Sequence, residues 1–276
     1  MTATFTSLTA EEEKILESYC ENHFVSFNAS GEEDLSFLTF WRNFISGLEE
    51  SGPSAAINTM LIPDLPVQFN QEEGISAEIY NSTAGEIPVI TIRDSEDFEK
   101  LVTNLIHKGK RPENLGSTGA SFVFGKKTRF IILSQKPYSN VSARTLGLKE
   151  EDWLKKSLQI RLEHECTHFF TKKFYGRTQN HLHDELIADF FGILSAFSFY
   201  KAEYFEYFMG IRGNEGSRLS CYIPHSSENL LKALKEKASR AAFFLEDLSK
   251  KADFQALSKS EKIRRLCETD LLKIPD

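Results

Sequence analysis

Residues 151 to about 175 combine the start, the periodicity and the stop of one long amphipathic helix. Three acidic residues at 150–152 suit the positive end of a helix dipole. Lys172 and Lys173 suit its negative end, and Gly176 is a natural stop. We therefore predict a helix over residues 151–175, with Cys166 as a small buried residue. Its apolar stripe consists of Trp153, Leu154, Leu158, Leu162, Cys166, Phe169 and Phe170.

This helix contains the pentad His164-Glu165-Cys166-Thr167-His168. Positions i and i+4 of a helix share a face, so both imidazoles can reach one metal ion, with Glu165 beside its open coordination position. The pattern alone is weak evidence, because a chance His-Glu-x-x-His is expected in on the order of one or two per cent of shuffled chains. A metal site therefore needs a third ligand.

A third ligand follows on a second predicted helix. Asp184 suits its N-cap, and apolar residues recur at positions 186, 187, 190, 191, 194 and 197. Glu185 and Asp189 lie at i and i+4, so their carboxylates share a face. A catalytic zinc site needs three protein ligands and an open position, and an acceptor for the far nitrogen of a ligating histidine. Glu185 suits the ligand role and Asp189 the role of that acceptor.

Two other histidines compete with Glu185 for this role. Histidine is the commoner zinc ligand, but His181 and His183 both precede the predicted N-cap. A fourth protein ligand, from His181, His183 or His225, would instead close the site and make the zinc ion structural. A helical protein without a metal stays a further alternative.

The two motifs together resemble a known family. His-Glu-x-x-His followed by Glu-x-x-x-Asp at the start of the next helix is the pattern of the gluzincin metallopeptidases, the thermolysin-like group, and the resemblance covers residues 150–197. It implies that His164, His168 and Glu185 bind Zn²⁺. It also implies that Glu165 is the general base and that Asp189 orients a ligand.

The same resemblance implies a histidine and a tyrosine that stabilise the oxyanion. His225 and Tyr175 match these two residues loosely. The interval from Glu185 to His225 is much shorter than in thermolysin. Each residue also has a structural alternative, His225 as a loop histidine beside a proline and Tyr175 as a core aromatic.

Zinc chemistry connects these residues to a reaction. The ion lowers the pKa of a bound water from about 15.7 towards 7 and polarises a substrate carbonyl. Glu165 would take the water proton and pass it to the leaving amine. We therefore predict a zinc-dependent metallopeptidase that hydrolyses peptide bonds. The alternatives are a hydrolase of a small non-peptide amide and a non-catalytic, zinc-binding regulatory protein.

Three regions follow one another along the chain. Residues 1–60 are predicted as a helical region, 61–148 as a mixed subdomain with a sheet, and 149–276 as a helical subdomain that carries the zinc site. Predicted helices run from Thr9 to the mid-twenties and over 35–48, 94–106, 226–250 and 258–272. Predicted strands are 76–80, 89–92, 121–124 and 129–134. The predicted fold class is α+β with a zincin-like plan.

The last two strands are predicted to form a hairpin through Phe124-Gly125-Lys126-Lys127. In zincins an edge strand binds the substrate backbone by strand addition. Gly119 to Phe122 is the candidate for that strand, because small residues let a second backbone approach closely. The alternative is a plain hairpin strand with a glycine-rich entry.

The net charge and the composition of individual segments limit which partners and which cellular location we expect. The net charge of −7 argues against a nucleic-acid partner. Residues 1–10 lack the features of a signal peptide, and no stretch is long and apolar enough for a membrane span. The four cysteines, at 20, 166, 221 and 267, are widely spaced, which favours reduced thiols. We expect a cytoplasmic protein without membrane contact, and the sequence does not indicate its oligomeric state.

Overall fold

The protein is described from a computed structural model, which covers residues 8–29, 35–125, 128–176, 182–213, 218–221 and 227–274. The chain divides into two compact units. One consists of Met1–Ala29 with Phe170–Asp276, and the other of Ser30–Phe169. The class is α+β, as predicted.

Ser30–Phe169 contains a four-stranded sheet. Its strands are β1 (Ile75–Ser82), β2 (Gly85–Ile92), β3 (Ala120–Phe124) and β4 (Arg129–Ser134), in the spatial order β1-β2-β4-β3. β1 and β2 pair antiparallel, β2 and β4 parallel, and β3 and β4 antiparallel. All four predicted strands and the β3–β4 pairing are thereby confirmed. Lys126 and Lys127 of the predicted turn lie outside the described residues.

Among the helices of this unit are α2 (Phe37–Ser51), α3 (Pro53–Met60) and α4 (Ser95–Leu105). Gly52, with φ of 85°, ends α2, and Pro53 begins α3, which is the favoured place for proline in a helix. The core of the unit joins these helices to one face of the sheet. Its largest members are Trp41, Phe44, Phe69, Phe98 and Phe130.

A buried carboxylate ties α4 to the preceding loop. Asp97 is fully buried and accepts hydrogen bonds from the backbone amides of Asn70 (2.8 Å) and Gln71 (2.9 Å) and from Lys100 Nζ (3.0 Å). Burial raises the pKa of Asp97, but these hydrogen bonds and the Lys100 charge outweigh it. The pKa therefore lies below its ordinary value.

The other unit is helical. It holds α1 (Ala10–Tyr19), α6 (Leu182–Phe197), α7 (Ala202–Phe208), α8 (Glu228–Ser249), α9 (Ala252–Gln255) and α10 (Lys259–Cys267). α1 contacts α8, and the Asn28 amide donates to the Phe174 carbonyl at 2.8 Å. Residues 1–60, predicted as one helical region, are thus shared between the two units.

The predicted long helix is α5 (Glu150–Tyr175), which matches residues 151–175 closely. The boundary between the units falls inside this helix, at Phe169 and Phe170. Cys166 is 3% exposed, as predicted.

Three predicted helix ends are wrong. α1 stops at Tyr19 instead of the mid-twenties, and α10 stops at Cys267, before a short 3₁₀ turn over Leu271–Lys273. Asp184 is not an N-cap: α6 begins at Leu182, whose side chain is fully buried, so apolar packing extends the helix upstream. Within the described residues, no helix has the length and apolarity needed to cross a membrane.

Candidate metal centre

One face of α5 carries four polar side chains in a row. Ser157, Arg161, His164 and His168 are spaced by four, three and four residues, which keeps them on one side of a helix that turns about 100° per residue. All four are buried. The helix therefore presents two imidazoles from a sheltered polar stripe.

The two imidazoles face each other across this stripe. The Nε2 atoms of His164 and His168 lie 3.0 Å apart, and the ring planes are 84° from each other. Two nitrogen ligands of a tetrahedral zinc ion lie about 3.3 Å apart, because each Zn–N bond is about 2.0–2.1 Å. The pair thus has nearly the separation that one shared metal ion requires.

A carboxylate from α6 completes the predicted donor set. One ligand atom each from His164, His168 and Glu185 lies within 4.8 Å of the other two, and all three residues are buried. Two imidazoles and one carboxylate form a donor set known from catalytic zinc sites. The structure therefore brings together the three residues predicted as ligands, and their donor chemistry fits zinc.

Arg218 is a member of this site that the sequence did not reveal. Its Nη2 lies 2.5 Å from Glu185 Oε2, and its Nη1 lies 3.1 Å from Asp189 Oδ2. The two carboxylate side chains are 5% and 0% exposed, and the Arg218 side chain is 23% exposed. Its guanidinium therefore offsets the charge of two buried carboxylates of α6, those of Glu185 and Asp189.

Glu165 is half-buried and directly follows His164. At about 100° per residue it lies about 60° around the helix from His168, so it flanks the imidazole pair. This is the position expected for a general base that takes a proton from a molecule bound between His164 and His168.

Two tyrosine hydroxyls from other parts of the unit Ser30–Phe169 reach the same helix. Tyr138 Oη lies 3.1 Å from His164 Nδ1, and Tyr80 Oη donates to Glu163 Oε1 at 2.8 Å. Burial, followed by the hydrogen bond to Glu163, raises the pKa of Tyr80 above its ordinary value. Neither tyrosine was predicted, because nothing in the local sequence links them to α5.

Comparison with known proteins gives one match. The model of a family of unknown function, DUF7005, matches residues 56–128 and 126–276, which together make up most of the chain. The chain belongs to the DUF7005 family. No curated protein and no solved structure matches it significantly. The part that matches the DUF7005 family includes the sheet and every residue of the metal centre described above.

Tyr175 of this DUF7005 chain, a predicted oxyanion donor, is the last residue of α5. Tyr175 has a buried hydroxyl, and its ring packs edge-on against Phe24 and Phe27. His225 and His181 are not among the described residues.

His183, weighed as an alternative ligand, lies on α6 and is 2% exposed. Its Nε2 is 3.2 Å from the Leu266 carbonyl oxygen, and burial foremost lowers its pKa. Among the described residues, the group of donor atoms suited to a metal includes Glu185 and not His183.

Gly119, directly before β3, lies against the side chain of Arg161. β3 is an edge strand, as its candidate role requires. However, a Cβ atom on Gly119 would lie 2.7 Å from Cζ of Arg161. In the structure, the close approach that requires glycine at this position is therefore made by a side chain of α5.

Proposed function

We propose that this protein is a zinc-dependent metallohydrolase of the gluzincin type that hydrolyses peptide bonds in the cytoplasm. The observation that carries the proposal is the convergence of His164, His168 and Glu185, whose ligand atoms lie within 4.8 Å of one another. The spacing of His-Glu-x-x-His and Glu-x-x-x-Asp supports the same family. A zincin-like plan for the fold is part of this proposal.

In this proposal the polar side chains of the metal centre have separate roles. His164 and His168 would hold the metal through Nε2, and Glu185 would hold it through a carboxylate oxygen. Arg218 would then keep its ion pair with Asp189 and hold that carboxylate in place. A bound zinc ion supplies an acidified water and an electrophile for the substrate carbonyl.

Glu165 moves the protons. Its carboxylate takes a proton from the attacking water and delivers it to the leaving amine nitrogen, so the carboxylate is regenerated. Tyr175 and His225 stay proposed donors to the oxyanion. Tyr175 has a buried hydroxyl and a ring packed against Phe24 and Phe27, which favours the structural role for this residue and makes His225 the better candidate of the two.

The substrate is proposed to be a peptide that adds to β3 on the side away from β4, because β3 is an edge strand of the described sheet and edge strands can template a further strand. No nucleic-acid or membrane partner is proposed. A small non-peptide amide would use the same metal and the same base.

One observation favours a second candidate function, a non-catalytic protein. Arg218 binds the carboxylate of Glu185 at 2.5 Å, so the chain already has a cation for this proposed ligand. In a non-catalytic protein this ion pair would be the purpose of the carboxylate, and Glu165 would be dispensable.

A substrate panel with two carboxylate variants separates these candidates. Zinc-loaded wild type, Glu165→Gln and Glu163→Gln are assayed on unstructured peptides and on small amides. Removal of a general base costs about 10²–10⁴-fold in rate, so Glu165→Gln should retain zinc and lose activity. Glu163 binds Tyr80 and serves as the matched control, because glutamine can still accept that hydrogen bond.

Cleavage of peptides but not of small amides supports the peptidase, and the reverse supports the amide hydrolase. If zinc-loaded wild type and Glu165→Gln hydrolyse every substrate at the same rate, Glu165 is not the base and the proposed mechanism fails.

A further inference from the structure

We propose that Tyr138 is a positioning residue for the metal centre: its hydroxyl accepts the Nδ1–H of His164 and thereby directs the Nε2 lone pair of that ring to the metal. The inference rests on the metal site of the proposed function and is independent of whether the site hydrolyses anything.

The geometry of His164 carries this inference. Nδ1 lies 3.1 Å from Tyr138 Oη, while Nε2 lies on the other side of the ring, 3.0 Å from Nε2 of His168. A neutral imidazole has one N–H and one lone pair, so a proton on Nδ1 leaves Nε2 as the metal donor. Metal-binding histidines almost always donate a hydrogen bond from the ring nitrogen that does not bind the metal. Tyr138 Oη lies where the acceptor of this hydrogen bond is expected.

The backbone that carries Tyr138 is held against α5 by the same polar stripe that presents the imidazoles. The Tyr138 amide donates to Ser157 Oγ at 3.0 Å. Arg161 donates to the carbonyls of Ser134 (3.2 Å) and Pro137 (2.8 Å), and its Cζ lies 5.5 Å from the centre of the Tyr138 ring. Tyr138 is 5% exposed. These contacts hold the backbone and the ring of Tyr138 against α5.

The chain adopts unfavourable backbone conformations directly after this tyrosine. Ser139 has φ of 51° and Asn140 has φ of 58°, in the left-handed region that non-glycine residues rarely occupy. Two such residues in succession persist only where surrounding contacts determine them, and such residues cluster at functional sites. The backbone directly after Tyr138 thus has a specific conformation, which fits a defined position of this residue.

Tyr138→Phe tests the inference, because it removes only the hydroxyl. Tyr80→Phe is the matched control: it removes a hydroxyl that binds Glu163, the residue before His164, and leaves the imidazole untouched. The zinc dissociation constant is measured at neutral pH by competition with a chelating indicator. Loss of such a partner typically weakens metal binding about 10–100-fold, which we expect for Tyr138→Phe and not for Tyr80→Phe.

Nitrogen NMR of the imidazole rings provides a readout on the wild type itself, so a poorly folded variant does not decide the outcome. In the zinc-loaded protein, His164 should carry its proton on Nδ1. Equal zinc affinity of wild type and Tyr138→Phe, or a His164 proton on Nε2, overturns the inference. A wild type that binds no zinc overturns both proposals. Weakened zinc binding in Tyr138→Phe without any hydrolysis in the wild type overturns the proposed function alone.

Discussion

Arg218 gives the sharpest prediction about the energetics of the site. Replacement by methionine keeps much of the aliphatic side chain and removes the guanidinium that binds Glu185 Oε2 at 2.5 Å and Asp189 Oδ2 at 3.1 Å. Because both carboxylates are at most 5% exposed, water cannot replace the lost partner fully. The negative charges of Glu185 and Asp189 then stay close together where little water can solvate them.

Removing one partner of a buried ion pair typically costs about 3–5 kcal/mol, and this range applies because the Arg218 side chain is only 23% exposed. We therefore expect the metal-free Arg218→Met protein to lose about this much unfolding free energy. Zinc should bind the variant more tightly than the wild type, because the ion no longer shares Glu185 with a guanidinium and is no longer repelled by it. Zinc stabilises by about 2.7 kcal/mol at a free concentration 100 times its dissociation constant, so it should restore much of the loss.

Urea unfolding with a chelator and with excess zinc measures both effects. Arg111→Met is the matched control, because Arg111 forms a comparable 2.6 Å pair with Glu99 but its side chain is 54% exposed. An exposed pair contributes about 0–1 kcal/mol and should show no zinc dependence. The reasoning is refuted if metal-free Arg218→Met is as stable as Arg111→Met, or if zinc protects the wild type more than Arg218→Met.

Three further predictions concern the fold. Asp97→Asn should cost about 1–3 kcal/mol at neutral pH. Because the pKa of Asp97 is lowered in the folded state, its contribution is present above pH about 4 and is lost as the pH falls through the folded pKa, so urea unfolding of variant and wild type should converge in acid. Gly119→Ala should cost about 1–3 kcal/mol because its Cβ would overlap Arg161, whereas Gly116→Ala, whose Cβ would lie 3.6 Å from its nearest neighbour, should stay within about 0.5 kcal/mol in thermal unfolding. Ser258→Ala removes the capping box of α10 and should cost about 1 kcal/mol. Wild-type stability in Asp97→Asn at neutral pH, in Gly119→Ala or in Ser258→Ala would contradict the corresponding contact.

The local parts of the structure were predictable from the sequence. α5 follows from its apolar stripe and its charged ends, and β2 and β4 follow from short runs of β-branched residues bounded by turn signals. The meeting of His164 and His168 is likewise local, since it depends only on helical spacing.

Contacts distant along the chain were not predictable. Arg218 binds carboxylates 29 and 33 residues away, and Tyr138 reaches a ring 26 residues away. A single sequence contains no period or spacing that links such residues. The start of α6 was missed for a related reason, because burial of Leu182 outweighs the capping tendency of Asp184.

The zinc content of the purified protein tests the central claim most directly. The chain is equilibrated with zinc, freed of loose metal and analysed by elemental analysis, beside His164→Ala and, as a control, His183→Ala, whose ring binds the Leu266 carbonyl. The account predicts about one zinc ion per chain in the wild type and in His183→Ala, and almost none in His164→Ala. A wild type without stoichiometric zinc, or zinc that stays in His164→Ala, would contradict it.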